Sequence, residues 1–224
     1  MILYQITEAR LRELDKLWHD ALNTYRGPAP RSLGLCHMLA ETNGTVQPVT
    51  RDAAQRTIGL MRIAMQDVQR LGYSETPALD PRVNVRLWCC LANEYAQSLH
   101  AYFPRWWLTA NLDFWLAVRL AFIMGVGNTK NLLSLVDNAN AGRTTAAVIV
   151  WIRSVAPPTT RFGKITYFDL CRIADHLEQV LDGMIALDGA TYRGSHFGSR
   201  VVTIHNEDVL YSTTNSLARR EGLC

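Results

Sequence analysis

One stretch of the chain concentrates side chains able to do chemistry. "DLCRIADHLEQVLD" places Asp169, Cys171, Arg172, Asp175, His176, Glu178 and Asp182 on a single helical segment, Asp169–Asp182. Residues three or four apart share a helix face. Cys171 therefore lies beside Asp175, and Asp175, Glu178 and Asp182 line up along one side. Arg172 sits one turn before Asp175. A thiol with an imidazole nearby is the raw material of a nucleophile and its base. A row of carboxylates is the raw material of acid–base catalysis. The competing reading is a solvated helix face, whose ordinary charge pairs contribute about 0.2–0.5 kcal/mol each. The sequence favours that second reading, and no GxSxG element appears either.

Other potential sites are thinner. Cys36–His37 and Cys89–Cys90 supply soft ligands, with His100 ten residues beyond Cys90. Neighbours in sequence rarely converge on one tetrahedral ion, and neither HExxH nor paired CxxC is present. No metal and no cofactor are expected. "GVGNTK" (Gly125–Lys130) lacks the GxxxxGK[ST] spacing that wraps a phosphate, and no apolar strand precedes it. It reads instead as the end of one helix and the start of the next.

Arginines raise the possibility of nucleic acid. Arg82 and Arg86 are four apart, Arg51, Arg62 and Arg70 recur upstream, and Arg219 and Arg220 lie near the end. Tryptophan and tyrosine could offer stacking platforms. These cations are scattered and balanced by acids, however, and no RRM, zinc-finger or KH signature is visible. The net charge of +3 with no basic block excludes a polycationic tail. Arg82, Arg86, Arg219 and Arg220 are retained as candidate phosphate or nucleic-acid contacts. Only Lys16, Lys130 and Lys164 are lysines; the other Lys/Arg positions are arginines, a bias for which codon usage is favoured over phosphate binding or subunit contacts.

The elements that must position these side chains are mostly helical. Leu11, Leu14, Trp18, Ala21, Leu22 and Tyr25 recur at spacings of three and four, and "RGPAPR" ends that helix. "SLGLCHMLAETNG" follows, with Ser32 as its expected cap. From Thr50, the residues Ala54, Ile58, Met61, Met65, Val68 and Leu71 fit one long helix that Gly72 closes. "RVNVRLWCCLANEYAQSLHAYF" is the next. Helices are also expected in "NTKNLLSLVDNANAG", in "RTTAAVIVWIRS" and, after Pro157–Pro158, in a segment capped by Thr166 with an apolar stripe from Phe168 to Leu187. Val201–Ile204 is the one expected strand, and a final helix is expected from Asn206 to Arg220.

The most apolar run, Phe114–Val126, is shorter than the roughly 20 residues of a membrane span. Arg119 sits in its middle, which an apolar bilayer opposes. A buried helix is expected, with Arg119 reaching a carboxylate, a carbonyl or the surface. Trp106 and Trp107 precede it and must diverge, so one ring is expected at the surface, where tryptophan marks protein contacts.

These readings predict an all-α, multi-helix domain of about eight or nine helices with a small extended or hairpin element near the C-terminus. Residues 1–156 would form a helical core domain, and 157–224 a helix, a strand-like arm and a terminal helix, either as a loosely attached unit or within the same domain. Five cysteines without a paired pattern, and an N-terminus unlike a secretory signal, predict a reducing, cytoplasmic setting, or a virion if the protein is viral. The function expected is a non-enzymatic, self-assembling subunit of a homo-oligomer, such as a viral or phage capsid-type protein. Its candidate interface is Trp106, Trp107, Val201, Val202, Ile204 and Tyr211. The alternatives are a nucleoprotein-like helical protein and, third, a small enzyme using the Asp169–Asp182 helix.

Overall fold

A computed structural model describes residues 2–22, 29–42, 49–50, 56–102, 112–139, 144–188, 193–194, 198–199 and 208–212. The fold class is all-α. Nine α-helices occur among the described residues: α1 (Glu8–Leu22), α2 (Arg31–Thr42), α3 (Met65–Arg70), α4 (Glu75–Ala78), α5 (Pro81–Tyr102), α6 (Leu112–Met124), α7 (Val126–Asn138), α8 (Thr145–Val150) and α9 (Tyr167–Asp188). α8 continues into a π-turn, Trp151–Val155. Strands are short: β1 (Ile2–Thr7), β2 (Val49–Thr50), β3 (Thr57–Ile58), β4 (Ile63–Ala64), β5 (Arg193–Gly194), β6 (Gly198–Ser199) and β7 (Asp208–Ser212). Packing divides the chain into two compact units, one built mainly from Tyr4–Glu94 and the other mainly from Tyr95–Ile204.

In the first unit, the periodicity of α1 translates directly into burial. Leu14 is 1% and Trp18 3% exposed, while Leu22 is half-buried. Trp18 packs closely on α2 because residue 34 is glycine: a Cβ there would sit 2.0 Å from the ring. Trp18 also meets Trp88 of α5 edge-on, with ring centroids 6.1 Å apart, and His37 stands 5.0 Å from Trp88. The nominal cap Ser32 is itself buried inside α2, which begins at Arg31.

The long helix expected from Thr50 to Gly72 does not form. β2, β3 and β4 make an antiparallel three-stranded ribbon instead, and only Met65–Arg70 is helical. The reversal between β3 and β4 needs left-handed backbone at Gly59 (φ 74°) and Arg62 (φ 44°). Ile58, Leu60, Met61 and Ile63 are all buried, a density that no single helix face allows. Asn84, fully buried on α5, holds the turn: its Oδ1 accepts from Met61 N at 2.7 Å, and its Nδ2 donates to Ile58 O at 3.2 Å and to Ala78 O at 3.0 Å. Gly72 (φ 82°) does close α3 as expected.

α5 starts where Asp80 Oδ1 accepts from Arg82 N and Val83 N, a side-chain cap ahead of a proline at the first helical position.

In the second unit, α6 is buried nearly all round, as its composition requires. Gly125 (φ 81°) separates α6 from α7, so "GVGNTK" is the expected helix junction. Thr144 caps α8 by accepting from Ala147 N, and the buried Asp113 accepts from Thr145 N at 2.5 Å. Pro157, which lacks an N–H, follows the π-turn and ends the helical run. No helix among the described residues is long and apolar enough to cross a membrane.

The extended elements are placed differently from the expectation. β1 and β7 form a two-stranded sheet, so Asp208–Ser212 is strand where a helix was expected. An alternating segment such as "ILYQIT" offers backbone groups that need partners, and pairing satisfies both chains. A hairpin does occur near the C-terminus, with Arg193 opposite Ser199 and Gly194 opposite Gly198. Val201–Ile204 lies outside the described residues.

Candidate functional site: a charge cluster on helix α9

α9 begins with a reciprocal cap. Thr166 Oγ1 accepts from Asp169 N at 3.3 Å, and Asp169 Oδ2 accepts from Thr166 N at 2.9 Å and from its hydroxyl at 2.7 Å. The two bonds from Thr166 hold the Asp169 carboxyl below its ordinary range. Asp169 is thus a capping residue, with its Oδ2 engaged at the helix end.

Further along, the solvated-face reading fails at two positions. Glu178 is 1% exposed and Asp182 is fully buried. The rotation of α9 explains this: Ala174, Leu177, Val180, Leu181 and Met184 fill the core, and Glu178 and Asp182 fall within the same arc. Phe168, placed on the stripe by its spacing, is instead 70% exposed, while Leu170 in the same turn is the one that enters the core. Cys171 is partly buried and Arg172 exposed.

Burial of carboxylates demands cations. Arg153, in the middle of the π-turn, provides one. Its guanidinium, 2% exposed, pairs with Asp175 and lies 3.4 Å from Glu178. Arg119 of α6 is 2% exposed and donates from Nε and Nη2 to His176 Nε2, at 3.2 and 2.8 Å. The sequence predicted a partner for Arg119 but named a carboxylate, a carbonyl or solvent; an imidazole nitrogen is one that the fold supplies. Arg153 was missed altogether. The available signal was a lone cation in the apolar run "AVIVWIRSV".

Chemically, Arg153 and Glu178 are turned inward, while Asp175 stays at the exposed edge of the group. Asp175 and Glu178 share one cation, and His176 Nε2 accepts from Arg119. A cavity of about 10 Å³ lies between Leu116, Leu120, Val148 and Leu177, with Asp113 and Thr145 at its edge. That holds about one water molecule.

The remaining candidates do not gather at this cluster. Cys36 and Cys89 are buried thiols, and burial pushes Cys89 up to about 12, so it is chemically quiet. His37 Nε2 is 3.0 Å from Met61 O. Among the described residues, no group of three or more His, Cys, Asp or Glu side chains could hold a metal ion. Arg82 is exposed and 3.3 Å from Asp20. Arg86 is half-buried, its Nε without a hydrogen-bond partner among the described residues. Trp106, Trp107, Val201, Val202, Ile204, Arg219 and Arg220 lie outside the described residues, and Tyr211 is known only as a member of β7. Comparisons with protein families, with curated proteins and with solved structures found no match to this chain.

Proposed function

We propose that this chain is a non-enzymatic helical subunit that assembles with copies of itself, a viral or phage shell protein being the natural example. The observation that carries this reading is the presentation of Phe168. It is 70% exposed at the first turn of a helix whose other large apolar side chains are mostly buried. Val155, 54% exposed, sits at the other end of the same connection. That connection is held firmly: Pro157 and Pro158 restrict it, Phe162 and Ile165 exchange backbone bonds of 3.0 and 3.1 Å, and Thr166 with Asp169 locks the helix start. Rigid display of apolar side chains lowers the entropic cost of association. The pairing of Arg153 with Asp175 and Glu178, and of Arg119 with His176, engages these charges within the fold, which supports the non-enzymatic reading.

The setting proposed is cytoplasmic, or a virion; four described cysteines are free thiols, which suits a reducing compartment. A nucleic-acid role draws less support, since Arg82 is already engaged by Asp20.

The test is light scattering over a range of protein concentrations, with wild type and a V155D/F168D variant. Oligomers in the wild type that dissociate in the variant, with helical content retained, support assembly through this segment. A wild type that stays monomeric at high concentration overturns it. Salt-dependent retention on nucleic acid would favour the nucleoprotein alternative.

A further inference from the structure

We propose that His176 is an acid-sensitive latch joining α9 to α6. Two N–H donors of Arg119 converge on one nitrogen of this imidazole, at 3.2 and 2.8 Å. A guanidinium carries no acceptor and keeps its charge. The ring nitrogen that faces it is therefore bare, and the neutral ring holds its proton on Nδ1. A second proton would have to enter at Nε2, directly against a cation. That step replaces a hydrogen bond with a donor–donor contact between like charges.

Arg119 does not escape easily. It is 2% exposed in a helix buried nearly all round, so moving it to water requires α6 to part from its neighbours. His176 is only partly buried, so solvent protons reach it. Among the described residues, the charged and titratable groups on the elements packed against it are these. On α9, Asp175 and Glu178 face Arg153, Asp182 is fully buried, Cys171 is partly buried and Arg172 is exposed. On α6, Asp113 is bonded to Thr145 N, and Arg119 is the latch partner. The π-turn contributes Arg153, and α8 contributes no titratable side chain.

The sign follows from the geometry. The folded protein holds the neutral ring, whereas the unfolded chain binds a proton below the ordinary imidazole value of about 6.5. The unfolded state then carries more protons, so stability rises with pH through this range and is lost as pH falls. One proton corresponds to a limit of about tenfold in the unfolding constant per pH unit. This latch stands independently of assembly, since it lies within one compact unit.

The experiment is urea unfolding of the full chain, followed by helical circular dichroism across the mildly acidic range, for wild type and His176→Gln. The glutamine amide oxygen still accepts from Arg119 but does not titrate. Wild type should show the steeper pH dependence, by up to about tenfold per pH unit. Equal slopes in the two proteins overturn the latch. Nitrogen-15 NMR of the wild-type imidazoles gives a second reading that needs no variant. A bare Nε2 at neutral pH, protonated only as the helical packing is lost, supports the proposal. An Nε2–H in the folded protein overturns it.

Discussion

Arg153 and Glu178 face each other at 3.4 Å with 2% and 1% of their side chains exposed, although 25 positions separate them in the chain. Asp175, 53% exposed, completes the group at its wet edge. Breaking a buried pair leaves one charge uncompensated, which costs about 3–5 kcal/mol. Arg153→Met is therefore expected to destabilise the protein by that order in urea titrations. Replacing both Arg153 and Glu178 by leucine should cost much less than the single change, because the isolated charge is gone. A single variant as stable as wild type would show that the pair is not sealed from water.

The contact between Trp18 and Gly34 has its own signature. Gly34→Ala forces a Cβ into the indole ring, where the present separation would be 2.0 Å, so an overpacking cost of about 1–3 kcal/mol or more is expected. Trp18→Ala leaves a cavity and should cost about 3–5 kcal/mol. In the double variant the alanine methyl enters that cavity, so the combined loss should fall short of the sum. Thermal melts of the three variants decide this, and strict additivity would mean that the two helices are not in contact here.

Asn84 should behave as a structural keystone of the Thr57–Ala64 ribbon. Alanine in its place removes three hydrogen bonds, to Met61 N, Ile58 O and Ala78 O, inside the core. Each buried group left unsatisfied costs about 1–3 kcal/mol. Amide exchange at Met61 is the local readout. It should accelerate in Asn84→Ala well beyond the change seen in α6 or α9.

Acid should act on the first unit through Asp15. The hydrogen bond from Arg31 holds its carboxyl below the ordinary 3.8, assisted by the charges of Arg31 and His19 and opposed by partial burial. A depressed carboxyl contributes stability above its unfolded value, and loses it as pH falls through the folded one. Arg31→Gln is thus expected to begin acid unfolding at higher pH than wild type. The difference should be modest, because Asp15 keeps 30% of its side chain exposed. Identical acid transitions would remove Arg31 as the cause.

What the sequence determined by itself is the part governed by near neighbours. The stripe of α1, the glycine junction at Gly125, the proline stop at Pro157–Pro158 and the cap at Thr166 all depend on residues within about a turn of each other, and all were legible, although Asp169, read as part of the charged cluster, proved to be the partner in that cap. The all-α class followed from adding such segments together. Tertiary structure decided the rest. Thr57–Ala64 has a pattern compatible with a helix, and it becomes a ribbon because Asn84, 20 or more residues away, satisfies the turn's backbone. β7 is a strand because β1, from the other end of the chain, pairs with it. Glu178 and Asp182 looked like solvated charges, since spacing reports which residues share a face and not which face is buried. Only the packing of α6, α8 and the π-turn against α9 turned that face inward, where a buried carboxylate needs a cation that its own helix does not supply.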